Sequence, residues 1–327
     1  MNRQAKTEPL GKGWTIAHVP WQVGRRALIT GANSGVGYGA ALELARKGAH
    51  VLLACRNQAK GNAALAKLRA AVPQASAEVV LLDLASLESV RAFAEAELAL
   101  GIPLDLLINN AGVMAPKQRL ETADGFELQF GTNVLGHFAL TLLLLPALKR
   151  TVQSQSPKPR VVTIASIAHK QGRLNFDDLQ SKKDYSPMGA YRQSKLADLM
   201  FSFELARRLR DAGPPARGVM SVAAHPGVAN TNIFQAGEYS AVERWMRRGA
   251  AVAIGALLNS EAQGALPTSF AATSPDAVDG GYYGPQGFLE MRGGDVGVAQ
   301  VAPQALDQVA ASRLWDECER QTGVELL

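Results

Sequence analysis

Tyr191 and Lys195 stand four residues apart in the stretch Tyr191-Arg-Gln-Ser-Lys195. On a helix that spacing puts both side chains on one face, one turn apart. A free tyrosine keeps its proton until about pH 10 and is a poor base near neutrality. An ammonium held beside it favours the phenolate and brings proton transfer within reach. The same spacing also arises where a tyrosine merely packs under a lysine stem, so the pair gains meaning only from its surroundings.

A second chemical element is the turn Thr30-Gly-Ala-Asn-Ser-Gly-Val-Gly37, with an apolar run before it and helical spacing after it. Gly31, Gly35 and Gly37 allow a tight turn and a close approach of backbone to a diphosphate. The N–H groups around Asn33, Ser34 and Val36, at the start of the helix, offer partial positive charge to phosphates. The spacing is Gly-x-x-x-Gly-x-Gly, not the commoner Gly-x-Gly-x-x-Gly.

At the end of the next apolar run the chain reads Ala54-Cys-Arg-Asn57. An NAD-binding fold would place an acid there for the adenosine ribose. Arg56, followed by Asn57, would instead pair with a 2′-phosphate, so the expected cofactor is NADP(H). Asp83-Leu84 and Asn109-Asn110-Ala111-Gly112 close two further runs, at the sheet edge where ligands bind in open α/β folds.

The elements that must position these residues alternate. Strands are expected at Arg26–Thr30, His50–Cys55, Glu78–Leu82, Leu104–Asn109, Arg160–Ser166, Gly218–Ala224 and Gly280–Gly284. Helices are expected at Gly35–Lys47, Gln58–Ala71, Ser86–Ala99, within Thr122–Leu148, at Ala190–Arg210 and at Pro303–Arg320. Unbroken apolar runs of four to six residues suit strands buried on both faces. The expected fold is α/β, a doubly wound parallel-sheet Rossmann fold, as one domain spanning 1–327 with a helical substrate lid. Residues 1–24 form an N-terminal arm whose Trp14 and Trp21 pack back on the domain, and 169–188 read as a loop.

Composition excludes several classes. The chain has 327 residues, is 47% hydrophobic and carries a net charge of +5. Its basic residues are scattered rather than clustered with aromatics, so nucleic acid is not an expected partner. Cys55 and Cys318 make no disulfide framework and no metal-ligand spacing, so no metal is expected. A reducing cytoplasmic setting is expected, with no signal peptide and no apolar run reaching the ~20 residues of a membrane span.

Together these motifs make the chain resemble the short-chain dehydrogenase/reductase family. The match runs through Thr30, Gly31, Gly35 and Gly37, then Asn109–Gly112, Asn133, Ser166, Tyr191 with Lys195, and Pro226-Gly227, in one order over roughly residues 14–290. The wording Gln193-Ser-Lys-Leu-Ala197 and His225-Pro-Gly-Val228 is similar to a retinol-dehydrogenase-like and protochlorophyllide-reductase-like branch. The resemblance implies that Tyr191 is the general acid/base and that Lys195 assists it and bonds the nicotinamide ribose. It implies that Ser166 bonds the substrate oxygen and that Asn133 holds a relay water. Pro226, Gly227, Val228 and Thr231 join the cofactor-binding set by the same resemblance.

Between Ser166 and Tyr191 lie 24 residues, about a dozen more than in many members of the family. The extra segment, roughly 171–188, is expected at the active-site rim or over a subunit face. Monomer, homodimer and homotetramer all stay open. Residues 228–259 follow the Pro-Gly turn and contain Phe234, Tyr239 and Trp245, candidates for an apolar lid over the substrate. Tyr282, Tyr283 and Phe288 could line the same pocket. The piece from 244 to 258 is amphipathic, but a packed lid helix is expected rather than membrane contact. His137 reads as a packed helix histidine, His169 as a loop residue, His225 as shaping the Pro-Gly turn, and Leu140–Leu145 as core.

The expected activity is NADP(H)-dependent interconversion of a carbonyl and an alcohol on a small lipophilic substrate. Reduction of a carbon–carbon double bond is the alternative, and a non-catalytic NADP(H) sensor a third reading. A sensor would have no need to keep Asn133, Ser166, Tyr191 and Lys195 together.

Overall fold

The computed structural model describes residues 13–153, 157–228 and 259–326. Thr231, Phe234, Tyr239, Trp245 and nearly all of the expected lid lie outside them.

Eight strands form one sheet in the order β3-β2-β1-β4-β5-β6-β7-β8. They are β1 (Arg26–Thr30), β2 (His50–Cys55), β3 (Ala77–Leu81), β4 (Leu106–Asn109), β5 (Arg160–Ile164), β6 (Met220–Ala224), β7 (Tyr282–Pro285) and β8 (Val296–Val298). The first seven run parallel, and β8 pairs antiparallel with β7. The helices are α1 (Gly35–Arg46), α2 (Gln58–Ala71), α3 (Leu87–Ala99), α4 (Gly136–Gln153), α5 (Pro187–Asp211), α6 (Glu261–Thr273) and α7 (Gln308–Thr322). The doubly wound Rossmann expectation holds, with one antiparallel strand added.

The central strands explain the unbroken apolar runs. β1, β4, β5 and β6 are buried at every position. Successive side chains serve opposite faces. Leu28, Leu52, Leu107 and Val161 enter a core with α3, α4, α5 and α7. Ala27, Ile29, Val51, Leu53, Leu106, Ile108 and Val162 enter a second core with α1 and α6. Truncating one such leucine to alanine costs about 2–5 kcal/mol. β3 lies at the sheet edge, and there Leu81 is half exposed.

Several expectations need correction. The stretch from Thr122 does not become helical until Leu128, and it passes through a widened π-helical turn, Phe130–Leu135, before α4. The closing helix is split by Asp307, which caps α7 by accepting from Val309 N and Ala310 N. α6 had no expected counterpart. It packs along α1, and every residue from Gly264 to Thr273 is buried. Trp14 is buried against Phe270, whereas Trp21 is exposed beneath Lys47. Residues Phe130–Gln153 are long and apolar enough to span a membrane, contrary to the composition reading, but that helix is buried inside the domain.

Candidate active site

The strand ends converge on one cleft of about 1300 Å³ along the carboxyl edge of the sheet. A pocket for one small molecule is usually ~300–1000 Å³, so this one has room for a dinucleotide and a second ligand.

The glycine-rich turn is locked to the turn after β4. Thr30 Oγ1 accepts from Asn110 N and Ala111 N, each at 2.9 Å, and Asn110 Nδ2 donates to Thr30 O at 2.8 Å. Gly31 has φ +67°, and a Cβ there would lie 2.9 Å from Ala111 Cα. A Cβ on Gly37 would sit 2.3 Å from Asn110 Nδ2. Gly37 therefore packs behind the turn and does not line the cleft. Gly31, Asn33, Ser34, Gly35 and Val36 do line it.

Behind this lock sits His137. Its Nδ1 donates to Asn133 O at 2.8 Å, and Nε2 lies 2.9 Å from Thr30 Oγ1. Burial lowers its pKa to about 3, so the ring is neutral and Nε2 accepts from the threonine hydroxyl. The packed-histidine expectation holds, but the ring also fixes the cofactor turn.

At the adenosine end, Arg56 and Asn57 are exposed at the cleft mouth, with Asn57 capping α2 through Lys60 N. Lys60 and Lys67 line the same end. Asp83 and Leu84 are there too, and Asp83 Oδ1 accepts from Ala85 N. Glu261, which the sequence reading passed over, accepts from Gly35 N at 3.1 Å and pairs with Lys67 at 3.6 Å. Ala111 and Gly112 line the middle of the cleft, and Pro226, Gly227 and Val228 line it after β6.

Ser186 caps α5 and Pro187 takes its first position, which starts the helix just before Tyr191. Tyr191 and Lys195 both face the cleft from one side of α5, and Ser166, at the end of β5, lines it with them. Ser166 Oγ accepts from Ala168 N at 3.2 Å. Lys195 is 4% exposed. Its Nζ donates to Ile164 O at 2.9 Å and to Asp198 Oδ2 at 2.8 Å. Asp198 was not singled out in the sequence, although its place three residues after Lys195 put it on the same helix face.

Asn133 is fully buried and does not line the cleft. Its amide donates to Val113 O and Ser194 Oγ and accepts from Val113 N, tying the β4 turn to α5. Both amide N–H groups are thus committed, and a relay through Asn133 would have to use its oxygen lone pairs.

Other candidates fall elsewhere. His169 is completely buried, donating from Nδ1 to Ser166 O and accepting Ala302 N, and burial lowers its pKa. His225 Nδ1 accepts Gly227 N, as a residue shaping that turn should. Tyr282 and Tyr283 are core residues and Phe288 is exposed, so none of the three lines the cleft. The extra segment is stitched to the rim. Its ends, Gln171 and Met188, line the cleft, while Tyr185 donates to Pro116 O and Gln193 holds Asn175 N and Leu179 O.

The sequence profile of the short chain dehydrogenase family matches residues 25–240. The chain is 42% identical to mouse (Mus musculus) polyprenol dehydrogenase over 93% of its own length and 86% of that protein. It is 37% identical to human (Homo sapiens) retinol dehydrogenase 14 over 92% of itself and 87% of that protein. A crystal structure of an uncharacterised protein from Mycobacterium paratuberculosis is 40% identical and superposes with a TM-score of 0.76, covering 96% of this chain and 99% of the other. With the glycine turn, the Asn-Asn-Ala-Gly turn and the Tyr191–Lys195 pair meeting in one cleft, the chain belongs to the short-chain dehydrogenase/reductase family and is an oxidoreductase.

Proposed function

We propose that this protein interconverts a carbonyl and an alcohol on a lipophilic substrate with NADP(H). The observation that carries the reading is the convergence of Ser166, Tyr191 and Lys195 on the cleft that the glycine turn opens.

The glycine turn and the Asn110–Gly112 turn, held rigid by Thr30, cradle the dinucleotide. Arg56 and Lys60 face the adenosine ribose, and no carboxylate stands at the end of β2 to repel a 2′-phosphate. When bound, the nicotinamide supplies or accepts the hydride. In reduction, Tyr191 gives its proton to the substrate oxygen; in oxidation it takes that proton back. Ser166 Oγ is oriented by Ala168 N, which leaves its proton to donate to the same oxygen as charge builds there. Lys195 has two N–H groups on protein acceptors and turns the third toward the ribose hydroxyls.

Val113, Met114, Ile167 and Met188 give the substrate end an apolar lining. The relatives named for polyprenol and retinol dehydrogenation support a long-chain lipophilic alcohol or its carbonyl counterpart. The test is steady-state turnover of a panel of aliphatic and polyene aldehydes, ketones and alcohols with NADPH, NADH and their oxidised forms. Turnover with NADPH at carbonyl carbons supports the reading. Reduction confined to carbon–carbon double bonds, or no turnover despite cofactor binding, overturns it.

A further inference from the structure

We propose that Asp198 is a positioning residue of the active site: its carboxylate holds the Lys195 ammonium in place and keeps it charged. The proposal rests on the reading of Lys195 as the group that assists Tyr191 and bonds the cofactor ribose.

The pair is almost completely buried at the edge of the cleft. Asp198 is 3% exposed and Lys195 4%. Their contact, Nζ to Oδ2, is 2.8 Å, three residues apart on α5. Ile164 O takes a second N–H of the ammonium at 2.9 Å. These two acceptors hold Nζ, and Gly112 leaves room for it, since a Cβ there would already lie 3.8 Å from Nζ. Only one N–H is left, and the cleft is where it can go. A lysine with no such anchor would have a four-carbon stem free to leave Tyr191.

Charge makes the same point. Burial alone would lower the Lys195 pKa, but Asp198 and then Tyr191 outweigh it, and the ammonium is held above its ordinary value. Burial raises Asp198 to about 6, with Lys195 opposing the rise. Among the described residues, no other side chain packed around the pair can replace this anion. Tyr191 lies on the same helix, and His137 from α4 is neutral. From α7 comes Cys318, whose thiol burial pushes up, with Glu317 and Glu319 beyond it already bonded to Arg320 and Trp315. Tyr282 from β7 is a phenol that burial keeps protonated. Asp198 is therefore the counterion of Lys195, and without it the ammonium would face burial unaided.

The experiment is Asp198→Asn, which keeps an acceptor oxygen and nearly the same shape but removes the charge. Lys195 would be followed by NMR in protein carrying lysine labelled with carbon-13 at Cε, its signal assigned by its loss in Lys195→Met. In the native protein the Lys195 signal should titrate above 10.5. In Asp198→Asn it should titrate roughly 2–4 pH units lower, since a fully buried ammonium can fall by that much. The alkaline limb of kcat/KM should move with it, falling about tenfold per pH unit beyond the new midpoint. Asp198→Glu, which restores the charge, should bring both back toward the native values.

An unmoved Lys195 titration in Asp198→Asn would overturn the proposal. So would a variant that is merely less heat-stable while its pH profile stays native. If the titration moves but the native enzyme turns over no carbonyl or alcohol, the ion-pair claim stands and the proposed function fails. The two are thereby separated.

Discussion

Thr30→Val removes the hydroxyl that fastens the two cofactor turns together, and its cost can be worked from the bonds it breaks. Valine fills nearly the same volume, and the site is almost completely buried, so packing changes little. Ala111 N and His137 Nε2 lose their partner, while Asn110 N keeps a second acceptor, Ile108 O, at 3.0 Å. Ala111 is half-buried at the cleft and its N–H can recover water, so that loss costs about 1 kcal/mol. His137 is buried and its ring nitrogen cannot recover water, which costs about 2 kcal/mol. The sum is about 3 kcal/mol, a fall in melting temperature of roughly 4 °C for a chain of this length. Thermal unfolding of native protein, Thr30→Val and Thr30→Ser measures it. The serine variant keeps the hydroxyl and should lose only about 1 kcal/mol of packing. Cofactor dissociation constants for the three proteins should follow the same order. A valine variant as stable as the serine variant, with native cofactor affinity, would refute the claim that this hydroxyl holds the two turns.

Further outcomes follow from single contacts. Arg56→Glu should raise KM for NADPH about 10–100-fold and leave NADH nearly unaffected, because a charge-assisted bond to the 2′-phosphate becomes a repulsion; equal effects on both cofactors would contradict the assignment. Ser166→Ala should lower kcat about 100-fold or more with little change in cofactor affinity, measured by steady-state kinetics alongside binding. Gly227→Ala should lose about 2 kcal/mol or more of stability, read as a lower melting temperature, because Gly227 has φ +69° and a Cβ there would lie 2.4 Å from Met291 O.

The sequence made the sheet and the cleft legible for an identifiable reason. Central strands such as β1, β4 and β5 are buried on both faces, so they read as continuous apolar runs bounded by turn residues. Chemistry in such a fold collects at the strand ends, which places Asn110, Ser166 and the glycine turn together from the sequence alone. α6 was hidden because it is buried on nearly every side and carries Pro267, so it shows little periodic contrast. Its capping box, Ser260 with Gln263, was the usable signal. β8 is three residues long and pairs antiparallel, too short for any alternation to show. Thr30 and His137 lie 107 residues apart, and nothing local in the chain announces their bond. Asp198 was legible in principle from its spacing to Lys195, but only the enclosure of both groups gives that spacing weight.

Tyr191→Phe tests the central claim most directly. The variant removes one oxygen from a largely buried ring and leaves the cradle of the cofactor untouched. Its cofactor dissociation constant should stay within a few-fold of native, while turnover of every carbonyl or alcohol accepted by the native enzyme falls at least about 1000-fold, as loss of a general acid/base demands. Native turnover by Tyr191→Phe with that substrate would contradict the account, because the proton would then be travelling by another route.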